Sequence, residues 1–494
     1  MALPSDLLIG LDIGAASVEA VAFAPDGHQL ARVAAPAGGR QGIAGDRLEQ
    51  EVGETWRAAA TALRQLGQAV PHLAARTAAL AITGGAAGTC LIDDDGDPVA
   101  PAWLPQDQRA TRVIARWRQD GSARRVREIT GSPLDASLHS AGLAWLAKHR
   151  PEVLDRAATA FAAKDCIYFL CSGERATDAA AAAAAFGDWR TRGYDARVLE
   201  LLGLQDAAHL LPEIVDGTSH HGELTAAAAA ATGLIAGTPV VLAPVATIAV
   251  ALALGLGGRD PDIGGTVLGA TTAHMRAYRD LAAAESVAGQ AAIMPLPLPG
   301  RWLGLVRQSG AANADWLIGM AEQLLVDAGL IGLARAELRA TLERRAAEAA
   351  PEALRYRPFT GEAGAQAAFD GLSSNTTFYH LLRAIYQGLG LAGRDGYAAL
   401  GLQPVEVRVT DTGAAGPLAR AALAACLGAP LRMIGCEAPA AAGAALVAAV
   451  SLGHYRDVVD GFAEWVEPRL SDGQAVERTP GSGSALSSAA PASA

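Results

Sequence analysis

A strand, a turn of small residues and a second strand follow one another twice in this chain, near its start and near its middle. The first copy reads LLIGLDIGAASVEAVAF at residues 7–23, and the second reads GGTVLGATTAHMRAY at residues 264–278. One supersecondary unit that recurs in this way indicates two structurally related halves with a cleft between them. The length of 494 residues is enough for two large domains, each with its own core.

Strand-like and helix-like segments alternate around these two hairpins. Residues 49–68 place Val52, Trp56 and Leu63 at helical spacing, and the apolar run TAALAIT is typical of a buried strand. Later in the chain, RAELRATLERRAAEAA predicts a helix and VEVRVTD predicts a strand. This alternation predicts an α/β fold.

An uncharged stretch at residues 224–258 has to be distinguished from a membrane span. A helix that crosses a bilayer needs about 20 apolar residues. Here Pro239 and Pro244 interrupt the stretch. We therefore predict a short buried strand at VVLA, a short buried helix at TIAVALALGLG, and no association with a membrane.

Charge and cysteine usage exclude some classes of protein. The net charge of −11 and the pI near 5.4 argue against a general nucleic-acid-binding protein, which usually has a basic surface. The first residues contain Asp6 and Asp12 and no basic segment before an apolar core, so they do not resemble a signal peptide. The five cysteines are scattered and form no CxxC pair, as is usual in a reducing compartment. We expect a cytoplasmic protein with no nucleic-acid partner.

Fragments that occur in order along the chain resemble the motifs of the FGGY carbohydrate kinases, which are relatives of actin, hexokinase and Hsp70. The resemblance covers roughly residues 7–460. It depends on the whole ordered set, because any one fragment alone is weak. The fragments are LLIGLDIGAASVEAVAFAPDG, AITGGAAGTCLIDDDGDPVAPAWLPQDQRA, AAKDCIYFLCSGERATD, LTAAAAAATGLIAGTPVV, GGTVLGATTA, GAQAAFDGLSSNTTFYHLLRAIYQG, VRVTDTGAAGPLARAALAACLGAPL and EAPAAAGAALVAA.

The resemblance implies an α/β fold with two actin/hexokinase-like (ribonuclease H-like) domains flanking a central cleft. The N-terminal domain, residues 1–250, would contain the sugar side and the first phosphate loop. The C-terminal domain, residues 251–470, would contain the second phosphate loop and the adenosine loop. Residues 471–494 are rich in Ser, Gly, Pro and Ala, which predicts a disordered tail.

The activity that the resemblance implies is phosphoryl transfer from ATP, with Mg²⁺, to a hydroxyl of a sugar or polyol. Such a hydroxyl is a poor nucleophile, and the family places an aspartate beside it as general base. In this sequence Ala246 occupies that position, and no acid lies between Glu223 and Asp260. The resemblance therefore leaves Asp12, at the first phosphate loop, as the magnesium-associated acid and the candidate catalytic residue.

The turns that would bind the nucleotide keep only part of the family pattern. Ala15 and Ala16 replace hydroxyl residues in the first loop, and Glu19 replaces a common lysine. In the adenosine loop, Asp411 replaces a glycine and would repel phosphates. The residues that the resemblance implies for nucleotide binding are Gly14, Ser17, Gly269, Thr271, Gly413 and Ala414.

The sugar-facing turn has no side chain that could bind a hydroxyl, because it reads GAAG in this chain. The residues that the resemblance implies for substrate binding are Thr83, Gly85, Ala86, Ala87, Asp107 and Thr247.

Two hypotheses about function remain open. The first is a carbohydrate kinase with weak activity, since a missing general base costs about 10²- to 10⁴-fold in rate. The second is a catalytically inactive homologue that binds a metabolite or a partner and acts as a regulatory or interaction protein. A homodimer is compatible with the resemblance.

Overall fold

The computed structural model describes residues 5–38, 41–43, 47–330, 334–350, 353–358, 366–411 and 416–472. They belong to two compact units. Unit 1 comprises Met1–Pro261, Ala277–Gly304 and Gly435–Leu470, and unit 2 comprises Asp262–Arg276, Leu305–Ile434 and Ser471–Ala494. The domain boundaries at residues 250 and 470 stay a prediction. Of the predicted disordered tail, residues 473–494 lie outside the described residues.

The strands alternate with helices along the chain. The strands are β1 (Leu7–Ile13), β2 (Ser17–Phe23), β3 (Gln29–Pro36), β4 (Gln41–Ile43), β5 (Arg47–Gln50), β6 (Thr77–Gly84), β7 (Cys90–Ile92), β8 (Ala102–Trp103), β9 (Thr159–Phe161), β10 (Ala176–Asp178), β11 (Gly187–Asp188), β12 (Gly193–Tyr194), β13 (Glu213–Val215), β14 (Gly222–Glu223), β15 (Pro239–Leu242), β16 (Ile263–Leu268), β17 (Thr271–Tyr278), β18 (Ala292–Pro295), β19 (Trp302–Ser309), β20 (Arg355–Arg357), β21 (Ala368–Asp370), β22 (Glu406–Asp411) and β23 (Leu431–Met433).

The α-helices are α1 (Val52–Ala69), α2 (Leu73–Arg76), α3 (Thr111–Gln119), α4 (Ser122–Thr130), α5 (His139–His149), α6 (Pro151–Leu154), α7 (Ala163–Ser172), α8 (Ala179–Ala185), α9 (Ala196–Leu202), α10 (Ala226–Thr232), α11 (Ala246–Ala253), α12 (Leu281–Glu285), α13 (Ala312–Asp327), α14 (Arg335–Glu348), α15 (Phe378–Ala399), α16 (Pro417–Leu427), α17 (Pro439–Ser451) and α18 (Val458–Trp465). Short 3₁₀ helices occupy Gln205–Leu210 and Glu467–Arg469.

The core of unit 1 is built on a six-stranded sheet with the order β14-β15-β6-β1-β2-β3. Strand β1 pairs antiparallel with β2 and parallel with β6, and β6 pairs parallel with β15. The apolar sequence LLIGLDI places β1 at the centre, where six of its seven residues are buried. Helix α1 packs Ala59, Leu63 and Leu66 into the core cluster that contains β1.

The second six-stranded sheet has the order β18-β19-β17-β16-β22-β23. Strand β16 pairs antiparallel with β17 and parallel with β22, and β22 pairs parallel with β23. These are the pairings of β1 with its neighbours, in the same spatial order. The predicted structural repeat and the α/β class are therefore confirmed.

The uncharged stretch forms a strand and a helix, as predicted. Strand β15 is followed by α11 after a short turn that contains Pro244. Both elements are largely buried within unit 1. Within the described ranges, no helix combines the length and the apolar character needed to cross a membrane.

Candidate active site

Three parallel strands of unit 1 end at the same edge of the sheet, and the predicted site residues follow these ends. Asp12 in β1 is aligned with Thr83 in β6, and Ile82 is aligned with Leu242 at the end of β15. The chain then turns and begins α11 at Ala246. The structure therefore brings Asp12, Thr83 and Ala246 to one edge, where open α/β sheets commonly bind ligands.

Thr83 fixes the turn that leads to Ala246, the position of the general base that the resemblance implies. Its Oγ1 donates a hydrogen bond of 2.6 Å to the carbonyl of Pro244, and the side chain is fully buried. Because that hydroxyl proton is already used, Thr83 fixes the geometry of the turn. Ala246 and Thr247 are half-buried in the first turn of α11. Their roles at the substrate stay a prediction.

Asp12 is half-buried and lies opposite Glu19 in the pairing of β1 with β2. Burial, and then the negative charge of Glu19, raise the pKa of Asp12 to about 7. Glu19 itself accepts a hydrogen bond of 2.6 Å from Arg32. Asp12 can therefore exchange a proton near neutral pH, which an ordinary exposed aspartate cannot do.

The first phosphate loop is a tight turn between β1 and β2. The N–H of Gly14 donates to the carbonyl of Ser17 at 3.1 Å. A Cβ atom at position 14 would lie 2.7 Å from that carbonyl oxygen, so only glycine fits the turn. Gly14 thus shapes the loop, and Ser17 is half-buried at its far side.

The sugar-facing turn is fixed by hydrogen bonds from residues that the sequence did not indicate. Gly85 is exposed, and Ala86 and Ala87 are half-buried. Next to them, the N–H of Gly88 donates to Ser137 O at 2.8 Å, and the carbonyl of Gly88 accepts a 3.0 Å hydrogen bond from His139 Nδ1. This direction assigns the proton to Nδ1, because a carbonyl can only accept.

The side chain of Asp107 forms a buried ion pair. Its oxygens accept hydrogen bonds from the guanidinium of Arg109 at 2.6 to 3.0 Å and from the backbone N–H of Leu48 at 2.8 Å. Arg109 also contacts Glu49 at 2.7 Å and lies over the ring of Trp103. The geometry favours an anchoring role for Asp107, and direct contact with a substrate stays a prediction.

A buried ionic triad lies beside the end of β6. Lys164 is fully buried, and its Nζ contacts Asp178 at 2.7 Å and also Asp165. Burial alone would lower the pKa of Lys164, but the two carboxylates outweigh burial and raise it. A Cβ atom on Gly84 would lie 3.1 Å from the Cβ of Lys164, so the triad supports the strand that leads to the sugar-facing turn.

The second phosphate loop in unit 2 is supported by the start of α13. The N–H of Gly310 donates to Ala270 O at 2.8 Å, and the N–H of Ala311 donates to Gly269 O at 2.9 Å. Gly269 is buried, whereas Ala270 and Thr271 are exposed. Thr271 is therefore exposed on a loop whose backbone is fixed by the hydrogen bonds from Gly310 and Ala311.

Asp411 does not carry an isolated charge at the end of β22. Arg420 in α16 donates to its Oδ2 at 3.1 Å. The expected repulsion of phosphates by Asp411 is therefore reduced by a neighbouring cation. Two other residues predicted for nucleotide binding, Gly413 and Ala414, lie outside the described residues.

Comparison with known proteins assigns both halves of the chain. Residues 7–252 match the N-terminal domain, and residues 264–452 the C-terminal domain, of the FGGY family of carbohydrate kinases. An erythritol kinase from Brucella abortus is 39% identical over 95% of this chain and 92% of its own length. A probable L-xylulose kinase from Pasteurella multocida is 25% identical over 77% of each chain.

A solved structure shares the fold over nearly the whole chain. The xylulose kinase from Rhodospirillum rubrum has a TM-score of 0.82 and 24% identity, over 96% of this chain and 94% of its own. The five strands that the two sheets have in a common order agree with this likeness. The chain belongs to the FGGY family of carbohydrate kinases.

Proposed function

We propose that this chain transfers the γ-phosphoryl group of ATP to a hydroxyl of erythritol or of another short polyol. The observation that carries the proposal is the place of Asp12, a carboxylate with a pKa of about 7 at the sheet edge next to the first phosphate loop. The choice of substrate class follows from the erythritol kinase that is similar to this chain over almost its full length.

Asp12 is proposed as the proton acceptor in place of the missing base. In its ionised form it accepts the proton of the attacking hydroxyl. The hydroxyl oxygen bonds to the γ-phosphorus, the bond from this phosphorus to the β,γ-bridging oxygen breaks, and ADP leaves. A pKa near the working pH suits a general base, because a useful fraction is ionised and the ionised form still binds a proton well.

The distance between strands restricts where a substrate hydroxyl can lie if Asp12 is its general base. Strands β1 and β15 are separated only by β6, which places them about 10 Å apart at the usual spacing. A hydroxyl therefore has to lie nearer β1 than in a kinase with its base at the position of Ala246. Gly85, Ala86 and Ala87 carry nothing larger than a methyl group, which supports such a shifted binding position.

The residues at this edge also fit Mg²⁺. This ion binds through one or two carboxylates, waters and substrate phosphates, without a dedicated protein cage. Asp12 is the residue that would orient the water shell of the ion without binding the ion directly, because a bound cation would lower the pKa on which its role as base depends. No cluster of three metal-binding side chains occurs among the residues that the structure describes. When bound with ATP, Mg²⁺ neutralises charge on the phosphates as the phosphoryl group is transferred.

A catalytically inactive homologue is the second candidate, and Ala246 favours it. An ADP-release assay of the purified protein with Mg²⁺·ATP and erythritol, other polyols, glycerol and pentuloses separates the two. We expect magnesium-dependent turnover with erythritol or another short polyol. If no compound is turned over while ATP or a polyol still raises the melting temperature, the inactive homologue is correct.

A further inference from the structure

His274 is a fully buried histidine beneath the second phosphate loop. It lies in β17, three residues after Thr271, and its side chain is 0% exposed. Burial lowers the pKa of His274 to about 4, so the imidazole is neutral near pH 7. A neutral buried imidazole needs a donor for one ring nitrogen and an acceptor for the other.

One side of the ring connects to the far end of α15. The Nδ1 of His274 is 3.0 Å from Thr266 Oγ1 in the neighbouring strand β16. Thr266 Oγ1 is in turn 2.7 Å from the hydroxyl of Tyr397, whose single proton is shared between Thr266 Oγ1 and the carbonyl oxygen of Gly265, 2.8 Å away. Two strands and the helix are thus joined by buried hydrogen bonds.

The other side of the ring connects to the middle of α15 through Gln308. In the orientation of the Gln308 amide that gives both its nitrogen and its oxygen partners, the nitrogen donates to Ala392 O at 3.0 Å and the oxygen accepts from Gly393 N at 3.2 Å. In that orientation the oxygen also accepts from His274 Nε2 at 3.0 Å. We therefore assign the imidazole proton to Nε2 and let Nδ1 accept from Thr266.

Helix α15 is shaped to fit this ring. A Cβ atom on Gly393 would lie 3.2 Å from Cε1 of His274, and one on Gly396 would lie 3.0 Å from its Cδ2. Both distances are tighter than ordinary van der Waals contact, so alanine at either position would push the helix away. The glycines and the histidine therefore form one packed unit.

The same strands carry the phosphate loop. His274 lies two residues after Thr272, so the two side chains share one face of β17, and Gln308 lies in β19, which ends one residue before Gly310. Gly310 binds the loop through its hydrogen bond to Ala270 O.

A cavity of about 30 Å³ lies between these groups. Its lining includes Thr272, His274, Gln308 and Gly310. The residues on either side of the loop, Leu268 and Thr272, therefore border open space.

We propose that His274 and Gln308 are positioning residues, which hold the second phosphate loop in the conformation that binds the phosphates of the nucleotide. The inference rests on the proposed nucleotide-binding role of Gly269 and Thr271. In this proposal neither side chain contacts the nucleotide directly. They act through the ends of β17 and β19, which carry the loop and the Gly310–Ala311 turn that supports it.

The test compares kinetic constants and stability in Gln308→Leu and His274→Phe, with Thr232→Val as the control. Thr232 is buried in α10 of unit 1, and its hydroxyl bonds the carbonyls of Ala228 and Ala229 and the N–H of Leu234, none of which belongs to a phosphate loop. All three variants should melt at lower temperature. Gln308→Leu and His274→Phe should also raise the KM for ATP about tenfold, the size of one impaired hydrogen bond to a charged group.

The KM for the polyol and kcat should remain within about twofold, since the loop contributes one charged contact and the polyol turn belongs to unit 1. If Gln308→Leu and His274→Phe lower the melting temperature as Thr232→Val does but keep the wild-type KM for ATP, the two residues are only structural. An equal rise of both KM values also overturns the proposal. Should His274→Phe fail to fold, Gln308→Met removes only the amide and gives the same comparison.

Failure of the proposed function gives a different result. In that case the unmodified protein shows neither turnover nor binding of a non-hydrolysable ATP analogue by calorimetry. The inference then falls together with the nucleotide site. Turnover by the unmodified protein, combined with an unchanged KM for ATP in the variants, overturns the inference alone.

Discussion

The two hairpins that define the repeat have the same topology, but the first is acidic and the second is uncharged at its turn. In unit 1, the β1–β2 turn is flanked by two acids that face each other, Asp12 and Glu19. In unit 2, the β16–β17 turn contains no charge and is supported by the neutral circuit around His274. The shared topology sets where a ligand binds, and the side chains beneath each turn decide what that turn can do.

Under the proposed function, this difference gives the two units different chemical roles. A carboxylate with a raised pKa can move a proton or hold a cation, but it cannot attract phosphates. A neutral loop with a fixed backbone can accept the negative phosphates without repulsion. The nearby acid at the end of β22, Asp411, is compensated by Arg420. We expect the four substitutions below to distinguish a role of the first turn in proton transfer from a role of the second turn in phosphate binding.

The largest effect is expected for Asp12→Asn. Without its general base the protein should lose about 10²- to 10⁴-fold in kcat, while the KM for ATP changes less. The pKa of Asp12 is raised above that of an unfolded aspartate, so its ionisation destabilises the folded state as the pH rises toward 7. Asp12→Asn should therefore melt at a higher temperature than the wild type at pH 8.

Asp26→Asn is the matched control for this change. Asp26 is an exposed turn residue of the same unit that binds only His28 N in the described hydrogen bonds of its side chain. It should leave both kcat and melting temperature near wild type. Full activity of Asp12→Asn would remove Asp12 from the mechanism.

The next largest effect is expected for Lys164→Met, on stability. Removal of the ammonium leaves Asp165 and Asp178 buried without their cation, which should cost about 3–5 kcal/mol of unfolding free energy. Gln308→Leu in unit 2 breaks neutral hydrogen bonds only and should cost about 1–3 kcal/mol. Urea unfolding of both variants measures this contrast. Equal losses would show that the ionic triad is no more critical than the neutral circuit.

The sequence predicted the parts of the site that depend on local pattern. Glycine at a strand turn and an acid at a strand end are visible in LDIGAAS, and they place Gly14 and Asp12 correctly in β1 and its turn. The strand and the helix on either side of Ala246 follow in the same way from hydrophobic pattern and proline positions.

The partners of the buried polar groups could not be predicted. Thr83 binds Pro244, which is 161 residues away, and Thr266 binds Tyr397, which is 131 residues away. No local pattern encodes such contacts, because they form only when separate elements pack together. Asp107 is different, since the arginine two residues later offered a signal for an ion pair.

A smaller effect is expected for Arg420→Leu. Loss of this cation removes the ion pair that offsets the charge of Asp411 near the proposed nucleotide site, which should raise the KM for ATP about threefold at low salt and less at high salt. The double change Arg420→Leu with Asp411→Asn should restore the wild-type KM. No restoration would mean that Arg420 acts by packing, and the electrostatic contrast between the two hairpins would be weaker than proposed.

The smallest effect is expected for Glu19→Gln, and it tests the charge of the first hairpin directly. Asp12 acts as a base only when ionised, so kcat/KM should fall as the pH drops below its pKa of about 7. Glu19 is the second cause of the raised pKa, after burial. Its neutralisation should lower the pKa of Asp12 and shift the acid limb of the pH profile down by about half a pH unit. The matched change Asp6→Asn in the same strand region breaks an ion pair with Arg76 and should leave the profile in place. If the acid limb shifts to higher pH, or does not shift, the group that titrates in the profile is not Asp12 under the influence of Glu19. The charge of the first hairpin would then have no demonstrated role in catalysis.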